Sequence, residues 1–161
     1  MGQEKDGPAA REATHPISVR LVIEVLRGMA QVDLLPSAVC GLIFTAALLA
    51  AGWRYGAYGL LGSAVGTGTA YALQLAPGAV GEGLLGYNGV LVTMALCGVF
   101  VAPGAWSAAY ALSGAVAATV LTPALDAVAA PFGSHAFTWP FVVTTVLFLA
   151  AVPAVPRLRR V

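Results

Sequence analysis

The sequence predicts an all-α integral membrane protein with five transmembrane helices and one re-entrant half-helix. Three observations carry that prediction. Of 161 residues, 59% are hydrophobic and 9% charged, against about 25% charged in an ordinary soluble domain. The charges are also confined, because residues 34–53, 55–81, 83–125 and 127–156 hold no Asp, Glu, Lys or Arg. A spanning helix needs about 20 apolar residues, so the run 83–125 holds two spans and each other run holds one. Finally, an Asn-Gly turn signal, Asn88-Gly89, interrupts the apolar stretch "GLLGYNGVLVTMAL" where a membrane helix would otherwise continue. The expected setting is the cell membrane, crossed several times, with the lipid bilayer as the surrounding phase.

Each element follows from its local chemistry. Residues 1–16, "MGQEKDGPAAREATHP", are hydrophilic and predict a disordered tail. No short apolar core follows a basic start, so no cleavable signal peptide is expected, and Asp6 stands where a myristoylation signal needs Ser or Thr. Residues 17–156 form a single membrane domain, and 157–161 a basic tail. The segment "ISVRLVIEVLRGMAQV" (17–32) sets an apolar stripe against Arg20, Glu24 and Arg27 at helical spacing. It predicts an amphipathic helix that enters from the interface and delivers Gln31 to the membrane edge. The first span follows at 35–52, and Trp53, Arg54, Tyr55 and Tyr58 form an interfacial cluster after it. The second span, 57–75, carries Gly59, Gly62, Gly66 and Gly68 and presents a nearly bare face for close helix approach.

Pro77 suits the start of a short helix. About ten residues then precede the break at Gly86–Gly89, too few to span. They predict a half-helix that enters, stops and hands over to a third span at 89–102. Non-helical backbone at that depth is tolerated only when buried in protein or lining a wet cavity. The fourth span is expected at 105–123, after Pro103-Gly104, and the fifth begins around Thr138-Trp139-Pro140. With five spans the two termini lie on opposite sides. Lys5, Arg11, Arg20 and Arg27 fall on one side, and Arg54, Arg157, Arg159 and Arg160 on the other. That balance gives no positive-inside preference and suits a chain that inserts both ways.

The function classes narrow by elimination. Cys40 and Cys97 lie in apolar spans as small packing residues, and His15 and His135 lie in a tail and a loop. Neither a metal nor a cofactor is indicated, and a net charge of +1 points to no nucleic acid. No nucleophile has a base at useful spacing, so an enzyme is not expected. What remains is a set of neutral hydrogen-bonding groups beside chain breaks: Gln31, Asn88 and Thr138. A pore for a neutral polar solute needs such acceptors, because a charge would hold ions instead. Each also has a plainer reading. Gln31 could end a solvated helix, Asn88-Gly89 could be a turn and Thr138 a helix cap. Tyr87 could anchor an interface, and Leu91 could simply face lipid.

The ordered set "LRGMAQV" (26–32), "GLLGYNGVLV" (83–92) and "FTWPF" (137–141) resembles the urea transporter family. The resemblance covers roughly residues 20–155 and implies a passive urea channel without ATP or ion coupling. It implies one half of the family's inverted-repeat fold, in which each half has five spans and a pore half-helix. By motif, Gln31 and Thr138 match the oxygen-bearing groups that accept urea hydrogens, and Tyr87 and Leu91 match the slot walls. Asn88, with Gly86 and Gly89, matches the end of the pore half-helix and is expected to fix it rather than touch urea. Leu34 stands where the family has a slot Phe, and "PSA" (36–38) replaces Asn-Asn-Pro. Asp33 is a further departure at the mouth. The half-length repeat implies a partner half, expected as a second inverted copy in an antiparallel homodimer, with a trimer of dimers as the family-like assembly. A pore for another small neutral solute (a short amide, ammonia or water) and a non-conducting structural subunit remain the alternatives.

Overall fold

In a computed structural model the described residues are 16–35, 37–75 and 77–161. The expected N-terminal tail, including His15, lies outside them. The described chain is built of helices. Helix α1 (Ile17–Ala30) ends in a tight turn at Gln31–Asp33, and α2 follows at Ala38–Ala51. Helix α3 (Trp53–Ala72) precedes a five-residue helix α4 (Pro77–Gly81). Helix α5 (Tyr87–Thr93) widens into a π-helix over Met94–Phe100, α6 runs Ala105–Ala129 and α7 runs Trp139–Ala151. Among the described residues one helix, Ala105–Phe132, is long and apolar enough to cross a bilayer on its own. Ile17–Asp33 and Ala38–Ala51 meet that test only as a pair bent by 74°.

The packing turns the usual soluble pattern around. Val39, Leu42 and Ile43 on α2 and Val146 and Leu147 on α7 are exposed, whereas Ser63, Thr67, Asn88, Thr93, Ser107, Thr119 and Thr122 are buried. Apolar side chains gain nothing by leaving lipid. Helices there associate through small residues and hydroxyl bonds instead. Helix α3 is the hub, touching α1, α2, α5 and α6. Gly59, Gly62 and Gly66 of its expected glycine face meet neighbouring elements, whereas Gly68 is exposed with nothing within 4 Å. A Cβ on Gly62 would strike the Gly89 carbonyl and the Thr93 hydroxyl, and one on Gly89 would lie 2.6 Å from the Gly62 carbonyl oxygen. Thr93 Oγ1 also donates to the Tyr58 carbonyl at 2.8 Å, which fastens the same contact. Glu24 on α1 is buried, with both carboxylate oxygens 2.7 Å from the Tyr71 hydroxyl of α3.

Four boundaries differ from the sequence expectation. The half-helix stops at Gly81, so it is half the expected length, and the break is residues 82–86. Asn88 and Gly89 therefore lie in the first turn of α5 rather than in a turn between helices. The Asn-Gly preference for turns is overridden because Gly89 is the contact point with Gly62. Helix α6, the expected fourth span, runs through Pro123 to Ala129. Proline removes one backbone donor, and the Thr122 hydroxyl donates to the Ala118 carbonyl at 2.8 Å beside it. Finally, residues 157–161 pack against the body. Leu158 is buried, Ala102 N–H donates to the Arg159 carbonyl at 2.8 Å, and Arg157 stacks 4.2 Å above the Trp106 ring.

Candidate functional site

The site is assembled at two chain breaks that α5 brings together. The first follows α4. Arg27 Nη1 donates to the Gly81 carbonyl and Gln31 Nε2 to the Glu82 carbonyl, each at 2.9 Å. The free carbonyls of a helix end need partners, and α1 with the turn that follows it supplies two donors about one helical turn apart. Gly83 then takes φ +80°, and a Cβ there would sit 2.5 Å from the Gly28 nitrogen and 2.6 Å from the Arg27 carbonyl carbon. Only glycine fits both demands. The Leu85 carbonyl accepts the Thr119 hydroxyl of α6 at 3.2 Å.

The second break, residues 133–138, precedes α7. Its first-turn donors are satisfied in an unexpected way. Thr138 stands at the N-cap, but its side chain makes no capping bond. Instead Asn88, fully buried on α5, accepts from the Phe141 N–H at 3.2 Å through Oδ1. Its Nδ2 lies 3.3 Å from the Phe137 carbonyl and 3.4 Å from Thr122 Oγ1. Asn88 thus caps α7 from another helix and joins α5, α6 and the loop. Asp126 Oδ1 accepts from the Ala136 N–H at 2.7 Å and pins the loop's other side.

Between the breaks lies a pocket of about 210 Å³, walled by Tyr87, Phe137, Leu34, Leu84 and Leu85, with Thr122, Asp126 and His135 as its polar rim. That is below the roughly 300 Å³ at which drug-sized ligand sites begin, so it suits a solute of few atoms. Of the residues singled out in the sequence, Tyr87 and Leu34 line this pocket. Gln31 and Asn88 are buried in the framework around it. Leu91 is partly buried one turn beyond Tyr87, and Thr138 is exposed beside Phe137; neither lines the pocket. Gly86 packs on Ser63 and Thr67, and Gly89 on Gly62. Asn88 was expected to hold the half-helix end. Its bonds go to the other break, and the half-helix end is held by Arg27 and Gln31.

Sequence reading passed over Phe137, Asp126, His135 and Thr122. Asp126 carried a usable signal as the lone charge between two long uncharged runs. Phe137 lay inside the quoted "FTWPF" segment, but nothing in sequence shows its left-handed backbone, φ +44°.

A family profile described as "Urea transporter" matches residues 4–153. Urea transporter 1 of Rattus norvegicus is 30% identical over 139 residues, a match that covers 84% of this chain and 36% of the relative. Urea transporter 1 of Mus musculus is 29% identical over the same shares. The matched region is thus little more than a third of either relative's length. With glycine-apposed helices, two chain breaks held by side-chain bonds and a family match running nearly the length of the chain, this protein belongs to the urea transporter family.

Proposed function

We propose that this chain forms one wall of a passive pore that conducts urea down its gradient across the membrane. The supporting observation is the division of labour around Asn88. Because Asn88 caps α7, the Thr138 hydroxyl is not used as a cap and stays available as an acceptor for urea N–H groups. Gln31 is committed through its NH2 to the Glu82 carbonyl, which leaves its amide oxygen as the second candidate acceptor. Tyr87 and Leu91, four residues apart on α5, share one helix face and provide the flat apolar wall. Neutral acceptors replace the solute's hydration without binding it tightly, which a fixed charge would not do.

In this reading the chain crosses the membrane five times, with α4 as the re-entrant half-helix. The opposite wall comes from a second, inverted copy. Leu34 and Phe137 are 66% and 55% exposed at the rim of the pocket, as expected of residues that meet a facing wall. The even Lys/Arg distribution permits both orientations of one sequence. Three such pairs would make a trimer of dimers. Stopped-flow light scattering of proteoliposomes tests transport: urea flux well above protein-free vesicles is expected, and flux no greater than in those vesicles rejects the proposal. Sidedness mapping of tags on both termini tests the assembly. A single orientation assigns the second wall to a different polypeptide segment.

A further inference from the structure

We infer that Phe137 is a selectivity residue: its side chain supplies a second aromatic wall to the pocket that Tyr87 also lines, held there by a strained loop. The inference rests on the pore reading above and names the wall that decides which solutes pass. Three described non-glycine residues have left-handed φ, namely Leu34, Gln74 and Phe137, and two of them line this one pocket. A bulky residue at positive φ is an outlier that persists only where its surroundings over-determine it. For Phe137 those surroundings are visible. Asn88 Nδ2 donates to its carbonyl, and Asp126 fixes the preceding Ala136 N–H at 2.7 Å. The backbone after it is set by the Trp139 N–H bond to the Ala136 carbonyl at 2.9 Å.

The loop spends this conformational strain on the direction of one side chain. The Phe137 ring is half exposed, so it contributes little to the core. The His135 ring stands nearly perpendicular to it, with centroids 6.1 Å apart, a contact that favours one ring orientation. Tyr87 is buried and supplies the other aromatic surface. Two rings and the side chains of Leu34 and Leu84 bound a pocket of about 210 Å³. A small pocket with two aromatic walls admits a planar amide and rejects one carrying extra methyl groups.

The test uses Phe137→Gly, which removes the ring while suiting the left-handed backbone, and Phe137→Tyr, which keeps the ring. Urea and N,N′-dimethylurea flux are compared in proteoliposomes, with thermal stability measured in detergent. For F137G the urea-to-dimethylurea ratio should fall about tenfold while the melting temperature holds or rises. F137Y should keep the wild-type ratio. A ratio within twofold of wild type in F137G overturns the inference, as does an equal loss in F137Y. A merely structural Phe137 would instead show F137G melting lower with selectivity intact. Wild-type protein that conducts no urea overturns the pore reading and this inference with it, a result distinct from urea flux with unchanged selectivity.

Discussion

The two chain breaks solve one problem by different means. At residues 82–86 the Gln31 and Thr119 side chains bond the Glu82 and Leu85 carbonyls, and the backbone is also fixed by steric closeness, because Gly83 lies on α1 and Gly86 on the Ser63 and Thr67 side chains of α3. At residues 133–138 the chain is exposed except at Ala136 and is fixed by the side chains of Asn88 and Asp126. The backbone-to-backbone contact of Gly83 with Arg27 and Gly28 has no slack, so the first break belongs to the fold. Side-chain tethers can be altered one at a time, so the second break is where the pocket can be tuned. Substitutions in the first should therefore cost stability, and substitutions in the second should shift function at modest structural cost.

The largest effect is expected at Gly83. An alanine there must adopt φ +80° and push its Cβ into the Arg27–Gly28 peptide. Left-handed strain and overpacking each cost about 1–3 kcal/mol, so Gly83→Ala should lose roughly 2–6 kcal/mol. Size-exclusion profiles and thermal scans in detergent should show little folded protein. A well-folded G83A would break the contrast between the two regions.

Asn88 is next, because it belongs to both regions. It sits on the helix that leaves the first break, and it holds the second. Asn88→Ala strands the part-buried Phe141 N–H and the Phe137 carbonyl, at roughly 1–3 kcal/mol. Asn88→Asp keeps the acceptor for Phe141 but loses the amide donors and buries a charge, so it should not rescue. Hydrogen exchange focused on the first turn of α7 would check this, with faster exchange expected there than in α3.

Much of this architecture was legible in the sequence, and the limits have physical reasons. Uncharged runs mark what can sit in lipid, and glycine spacing marks the face of α3 that meets α5, since both are local properties. The role of Asn88 was not legible. Asn-Gly reads as a turn from local preference, but the close Gly62–Gly89 contact and the partners in Phe137 and Phe141 come from residues up to 53 positions away. The end of the fourth span, expected at 123, was misplaced for the same reason, since tertiary packing carries α6 on to Ala129. The pairing of Leu34 with Phe137 around one pocket was likewise hidden. Both owe their positions to left-handed backbones that the fold imposes.

Asp126 should show a smaller effect. Its bond to the Ala136 N–H is one contact at a partly exposed site, so Asp126→Ala should cost about 1 kcal/mol. Asp126→Asn retains an acceptor and should recover most of that loss in a thermal scan. If D126A were as damaging as N88A, the second break would be a rigid part of the fold rather than a tethered loop.

The smallest structural effect, and the sharpest test of the contrast, is expected at Thr138. A residue at an N-cap normally contributes about 1 kcal/mol through its side chain. Here the Phe141 N–H is taken by Asn88, and the Thr138 hydroxyl makes no capping bond. Thr138→Val is nearly isosteric and should change stability by less than about 0.5 kcal/mol. If the hydroxyl accepts a solute hydrogen bond in the narrow part of the pore, its loss should lower urea flux by roughly 2–12-fold, the kinetic equivalent of one net hydrogen bond of 0.5–1.5 kcal/mol. A stable T138V with reduced flux separates capping from conduction and assigns them to Asn88 and Thr138 respectively. A T138V that melts early would return the capping role to Thr138. One that conducts like the wild type would remove Thr138 from the pore while leaving the Asn88 cap in place.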